Sequence, residues 1–204
     1  MELRAPGLWS SSWECPRHGI VHPYNVLTHL GQDAVEHVVG RAAVPLWLPH
    51  GLPYGWLCSG IGYAGDDRSG ARATVTGMSG PNPLGGAADL LIVAEEPGVG
   101  LGARHAGLAE SDPGDGFGTG PPHAKVHAAS HPTALWSVPV PDDRAVFVGE
   151  AMGQWLWAVI WPASAGVLMY DEISLLDARD PFVVLDTQFG SPSPRLAAPP
   201  QEAA

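Results

Sequence analysis

The residues best suited to chemistry stand together near the start, Cys15-Pro16-Arg17-His18-Gly19. A cysteine and a histidine at i and i+3 fit a zinc-ribbon knuckle. Proline stiffens the turn, and glycine supplies the positive φ that wraps backbone round a metal. A structural zinc takes four ligands, and this motif offers two, Cys15 and His18. His22 is a candidate third, while Cys58 lies far along in a predicted strand. Half a site binds metal poorly, so a plain turn with a free thiol is the favoured reading.

Other groupings carry weaker signals. His123, His127 and His131 share a four-residue spacing. Prolines at 121, 122 and 132 oppose a helix there, but in a strand all three would share a face. Gly98-x-Gly100-x-x-Ala103 follows a predicted strand, as a dinucleotide-binding loop should. Glu95-Glu96-Pro97 intervenes and would repel a pyrophosphate, so a turn into a short helix is favoured. Acidic residues end several strands: Asp66-Asp67, Glu95-Glu96, Glu150 and Asp171-Glu172. Two carboxylates held close would split their pKa values and serve as acid and base. Glu95, Arg104, Glu150 and Asp171 are the weak ligand-site candidates this pattern offers. With Asp171-Glu172 placed in a strand, one of them faces inward and needs Arg144 or Arg179. No Walker lysine, Gly-x-Ser-x-Gly elbow or His-Glu-x-x-His motif occurs, so no catalytic residue is assigned.

Composition bounds the possibilities. The 204 residues suit one domain, and the net charge is −11 with a single lysine, Lys125. Such a chain repels polyanions at long range, which argues against nucleic-acid or anionic-membrane partners. No secretion signal and no transmembrane-length apolar run is visible, and two cysteines fit a reducing cytoplasm without a disulfide.

The elements that would position any site are mostly strands. The most apolar stretch is Gln154–Trp161, with a return limb at Gly166–Ile173, which predicts a buried hairpin. Trp155, Trp157, Val159 and Trp161 take one face; Leu156, Ala158 and Ile160 take the other. Both faces are apolar, so the strand is central and covered on both sides. Three- and four-residue spacing predicts a helix over 32–42, with Asp33 and Glu36 as a capping box. Prolines make 45–53 an edge segment. Strands are expected at 55–64, 71–78, 88–95, 125–129, 134–140 and 144–151, with a last edge strand near 182–185. The fold class expected is α+β: a single domain with a mostly antiparallel sheet and one N-terminal helix. Its parts are a knuckle-like arm at 1–25, the domain at 26–188 with a flexible loop at 109–122, and a disordered tail at 189–204.

Four stretches carry a resemblance: Arg4-Ala5-Pro6-Gly7-Leu8-Trp9, Gly65–Gly70, Leu91–Arg104 and Trp155–Pro162. Over most of residues 4–180 the chain resembles an uncharacterised family of actinobacterial proteins. Some relatives carry a phosphotransacetylase label, which implies an acyl- or phosphoryl-group transferase; no motif here supports it. The resemblance also implies a Cys-x-x-Cys-Gly knuckle just before the Arg-Ala-Pro-Gly stretch. That knuckle would complete a four-ligand zinc ribbon with Cys15 and His18. Zinc is expected only if such a knuckle lies upstream of Met1; otherwise this is a degenerate zinc-ribbon protein. The leading expectation is a non-catalytic cytoplasmic module that binds a protein or small-molecule partner.

Overall fold

Alternating apolar residues and many turn-forming glycines and prolines favour strands, and strands dominate the result. The computed structural model describes residues 4–5, 7, 13–15, 19–114, 117–183 and 187–197. Two short strands, β1 (Trp13–Cys15) and β2 (Gly19–Val21), pair antiparallel with Cys15 opposite Gly19. The remaining ten form one sheet: β3 (Tyr24–Val26), β4 (Trp47–His50), β5 (Leu57–Asp66), β6 (Gly70–Pro81), β7 (Ala87–Glu95), β8 (Ala124–Ala128), β9 (His131–Ser137), β10 (Ala145–Ala151), β11 (Gln154–Trp161) and β12 (Ile173–Asp177). Their order is β3-β5-β6-β7-β11-β10-β9-β8-β12-β4.

This overturns the expected α+β class. The fold is mostly β, and its sheet is mixed, because β12 runs parallel to β8. Helix is scarce and not confined to the N-terminus: α1 (Gln32–Val39) is joined by a second, α2 (Leu101–Ala106), and by two 3₁₀ segments, Ala163–Tyr170 and Pro194–Leu196. Helix α1 starts at 32 as expected but ends at Val39. Its N-cap is Gly31 with no side-chain cap, so Asp33 and Glu36 form no capping box.

The sheet curls until its ends meet. Edge strand β4 follows a segment that lies against β6: Ala43 N–H donates to Ala71 O at 3.0 Å, and Thr74 Oγ1 donates to Pro45 O. Inside the curl, Leu46 and Trp47 pack with Ile61, Leu90, Ile92, Leu156, Ile160, Leu168 and Ile173. The outer face has its own core of Val75, Leu91, Val93, Val148, Trp157, Val159 and Trp161, covered by α2 and Leu196. Strand β11 lies between β7 and β10 and feeds odd residues outward and even residues inward. The expected covered, central tryptophan strand is therefore present. Its expected hairpin partner is not: residues 163–170 coil as 3₁₀ helix, and the hairpin is β10–β11, closed at Met152-Gly153. Pro162 cannot continue the ladder, and the alanine- and glycine-rich run after it has no alternation to make a strand.

The chain end also docks. Strand β3 covers β5 only at residues 62–64, which leaves the start of β5 open. Residues 188–193 fill that edge: Cys58 N–H donates to Gln188 O, Gly190 N–H to Cys58 O and Ser193 N–H to Ser59 O, at 2.7–2.8 Å. Leu196 then seats over Gly60 and Gly77; a Cβ on Gly60 would fall 1.6 Å from Leu196 Cδ1. These contacts hold 189–197 of the 189–204 span expected to be disordered, while 198–204 and residues 184–185 of the strand expected at 182–185 lie outside the described residues.

Candidate functional site

The groups with the most unusual environments gather on the outer face around α2. Six residues form that helix because Gly100, at φ 77°, turns the chain into it and Gly107, at φ 80°, turns it out. Gly102 lets the helix lie on Trp157: a Cβ there would come within 2.3 Å of the indole. Across the sheet, one outward row runs Tyr24, Ala64, Ala73, Glu95, Trp155, Glu150. The two alanines leave room for α2 to settle between Tyr24 and Trp155.

Glu95 is fully buried, and its Oε2 accepts the Leu101 and Gly102 N–H groups at 2.5 and 3.2 Å. Its carboxyl therefore occupies the helix start that the Gly98-x-Gly100-x-x-Ala103 pattern would offer to a phosphate. Burial pushes its pKa up to about 7, against the two backbone donors that favour the charged form; Asp112 adds a smaller upward push. Oε1 has no hydrogen-bond partner. The Trp157 indole N–H lowers the pKa slightly from nearby, yet it makes no hydrogen bond of normal geometry.

At the other end of α2, His105 is 1% exposed and its Nε2 has no partner. Burial, then the charges of Arg104 and Arg144, bring its pKa down to about 4. Its ring meets Tyr24 edge-on at 5.7 Å, and its carbonyl accepts Arg144 Nη1 at 2.7 Å. Tyr24 Oη donates to Leu196 O at 2.8 Å. The guanidinium carbons of Arg144 and Arg195 stand 5.2 and 5.1 Å from the centre of the Trp161 ring. These contacts close a loop: Trp161, Arg144, His105, Tyr24, Leu196, Arg195 and back to Trp161.

Asp112 and Phe117 both pack against Trp155, the cross-strand neighbour of Glu95. Asp112 Oδ1 accepts Gly98 N–H at 3.0 Å and Trp155 Nε1 at 2.8 Å. Phe117 meets Trp136 and Trp155 edge-on at 5.5 and 5.0 Å.

Of the four candidates, Arg104 lies on α2, whose first N–H groups Glu95 accepts from the end of β7, and Glu150 lies on the Glu95 sheet row but is exposed at its far side. Asp171 lies past the opposite end of β11, roughly 20 Å away by strand rise. No single pocket gathers all four. Asp171 and Glu172 are both exposed and outside any strand, so neither needs the buried partner expected of it. Arg144 pairs instead with Asp143, and Arg179 with Asp177. Asp66 caps its own turn, accepting Arg68 N–H and Ser69 N–H at 3.0 and 2.8 Å. Glu96 pairs with Arg72.

The metal candidates stay apart as well. His127 lies in β8 and His131 begins β9, separated by a tight turn at Ala129-Ser130, whose φ values are 47° and 67°. His123 accepts Ser137 N–H through Nδ1 at 3.2 Å. Cys58 is buried as a free thiol, and burial raises its pKa. Burial and Arg72 lower the pKa of His22. His18 and the Cys15 side chain lie outside the described residues, and those described hold no cluster of three or more metal-ligating groups.

Sequence reasoning missed His105 and Tyr24. The signal available was a histidine between Arg104 and the Ala106-Gly107 helix end, which reads as a solvated helix C-terminus.

Residues 1–196 match the model of DUF6758, described as a family of unknown function. No curated protein and no solved structure matches the chain.

Proposed function

Because the chain belongs to this family of unknown function, we propose from its own geometry that it is a non-catalytic interaction module. One observation carries this reading: three large apolar side chains stand exposed on two loops and the end of the 3₁₀ segment, which touch one another. Tyr54 is 101% exposed, Leu84 67% and Tyr170 72%. Their loops meet. Asn82 Nδ2 donates to Ser164 Oγ at 3.1 Å, a Cβ on Gly55 would lie 3.4 Å from Pro81, and one on Gly51 would lie 3.4 Å from Glu172 O. Exposed Asp171 and Glu172 border Tyr170.

Aromatic and aliphatic anchors beside carboxylates suit a protein partner that offers an apolar side chain flanked by lysine or arginine. Glu95 and His105, whose pKa values burial shifts, are closed off from solvent beneath α2, which fits a module better than an enzyme. Zinc and a cytoplasmic setting remain part of this proposal only as the sequence raised them.

The test is site-specific photocrosslinking from position 54 in the host cell. A partner adduct is expected that disappears when Leu84→Asp is added. An adduct indifferent to Leu84→Asp, or turnover of any defined substrate by the purified chain, would refute the reading.

A further inference from the structure

We propose that the groove along the start of β5, which holds the chain's own residues 188–196, also takes the same residues of a second copy, so that two chains exchange these segments and form a dimer. This surface differs from the Tyr54, Leu84 and Tyr170 cluster, which stands on other parts of the chain. A bare strand edge offers N–H and C=O groups to any extended chain. Strand β3 covers β5 only at residues 62–64, and residues 188–190 run parallel to the part left over. There Cys58 N–H donates to Gln188 O, and Gly190 N–H donates to Cys58 O.

Side chains then select the occupant. Phe189 packs against the inner core, and Leu196 fills the outer slot over Gly60 and Gly77. Between these anchors Ser193 Oγ donates to Asp89 Oδ1 at 3.0 Å and accepts Arg195 N–H at 3.1 Å. Tyr24 Oη closes the far end on Leu196 O. Backbone pairing supplies hold and spaced anchors supply specificity, as in sites that add an extended peptide to a sheet edge. The peptide that fits this one, Phe189 to Leu196, is carried by every copy of the chain.

Two features favour a second copy as the other occupant. All ten strands of the sheet end by Asp177, so the segment can lift away without breaking a bond between them. An exchanged pair regains every contact that its two chains gave up, and only the entropy of association opposes it. Phe182, moreover, is 89% exposed on the turn that leads to the segment, where Asp180 Oδ1 accepts its N–H at 2.9 Å and Asp180 O accepts Val183 N–H at 3.1 Å. In a single chain that ring is left to water. In an exchanged pair the two connecting stretches cross between the copies, and the ring lies where new contact forms. Each chain competes for its own groove at an effective concentration of roughly millimolar, so exchange grows with protein concentration.

Disulfide trapping between full-length chains tests the proposal, in a background of Cys15→Ser and Cys58→Ala. A Cβ on Gly190 would lie 3.3 Å from Leu57 Cβ, close to the spacing that a disulfide needs. A chain with both Leu57→Cys and Gly190→Cys should close an internal disulfide in dilute solution. Chains with Leu57→Cys alone are then mixed with chains with Gly190→Cys alone, at roughly millimolar concentration under mild oxidation. A linked dimer of one chain of each kind is expected, read by mass after denaturation. Adding Leu196→Asp, or Phe189→Ala as a second anchor variant, to the Gly190→Cys chain should abolish that dimer. Melting temperatures verify that each chain is folded. No internal disulfide in the doubly substituted chain, no mixed dimer from the two single variants, or a mixed dimer that survives loss of both anchors would overturn the proposal.

Discussion

Replacing Glu95 by glutamine should change how stability depends on pH, and the direction follows from two buried groups that oppose each other. Glu95 has its pKa raised to about 7 from an ordinary value of 4.5. The folded state therefore prefers the neutral acid. Its contribution is complete below pH 4.5 and is lost as pH rises through 7. The difference, about 2.5 pH units, corresponds to roughly 3 kcal/mol. His105 has its pKa lowered to about 4 from 6.5. Its contribution is complete above pH 6.5 and is lost as pH falls through 4, again roughly 3 kcal/mol. Between about pH 4.5 and 6.5 the two slopes have opposite sign and similar size, so in the native chain they nearly cancel.

Glu95→Gln removes one slope. The amide oxygen still accepts Leu101 and Gly102 N–H, and the amide NH₂ replaces Oε1, which has no partner. Any loss in the cap is independent of pH and moves the whole curve. Relative to the native chain, the variant should gain stability steadily from pH 4.5 to 7, by about 3 kcal/mol in total. Urea unfolding followed by tryptophan fluorescence from pH 4.5 to 8 measures this, and the difference curve cancels what Asp66, Asp143 and His22 contribute to both proteins. A difference that stays flat across the window would show that Glu95 does not hold its proton near neutrality, and the account of the outer face would fall with it.

Two further substitutions probe the covering of the outer face. Leu196→Ala should cost about 2–4 kcal/mol in urea unfolding, because a side chain 1% exposed leaves an unfilled slot over Gly60 and Gly77. A cost under about 0.5 kcal/mol, the range of ordinary surface changes, would mean the chain end is not docked in solution. Gly102→Ala should also destabilise, by at least about 1 kcal/mol, since its Cβ would meet the buried Trp157 ring at 2.3 Å and force α2 off the sheet. An unchanged melting temperature and near-ultraviolet circular dichroism would contradict that packing.

Much of the sheet was legible because strands announce themselves locally. The unbroken apolar run of β11, the turn at Gly65–Gly70 and the proline-bounded edge at Trp47–His50 are all short-range signals. What the sequence hid was long-range. The parallel pairing of β12 with β8 joins residues about 47 apart, and nothing in either five-residue strand encodes its partner's direction. The 3₁₀ run after Pro162 was mistaken for a strand because its composition is apolar, although its residues do not alternate.

The candidate site was half legible for a related reason. Glu95 stood out as a carboxylate at a strand end, but whether it meets solvent, a ligand or the protein's own backbone depends on where Gly100 turns the chain. The glycine-rich stretch looked like a phosphate loop because both uses require the same thing, backbone N–H groups at a helix start aimed at an anion. Here the acceptor is internal, the Glu95 carboxyl, which occupies the helix start whether neutral or charged. An intramolecular carboxylate is present at high effective concentration and excludes an external phosphate from that helix start. The glycine pattern here therefore marks how the protein caps its own helix and not where it would take a phosphate.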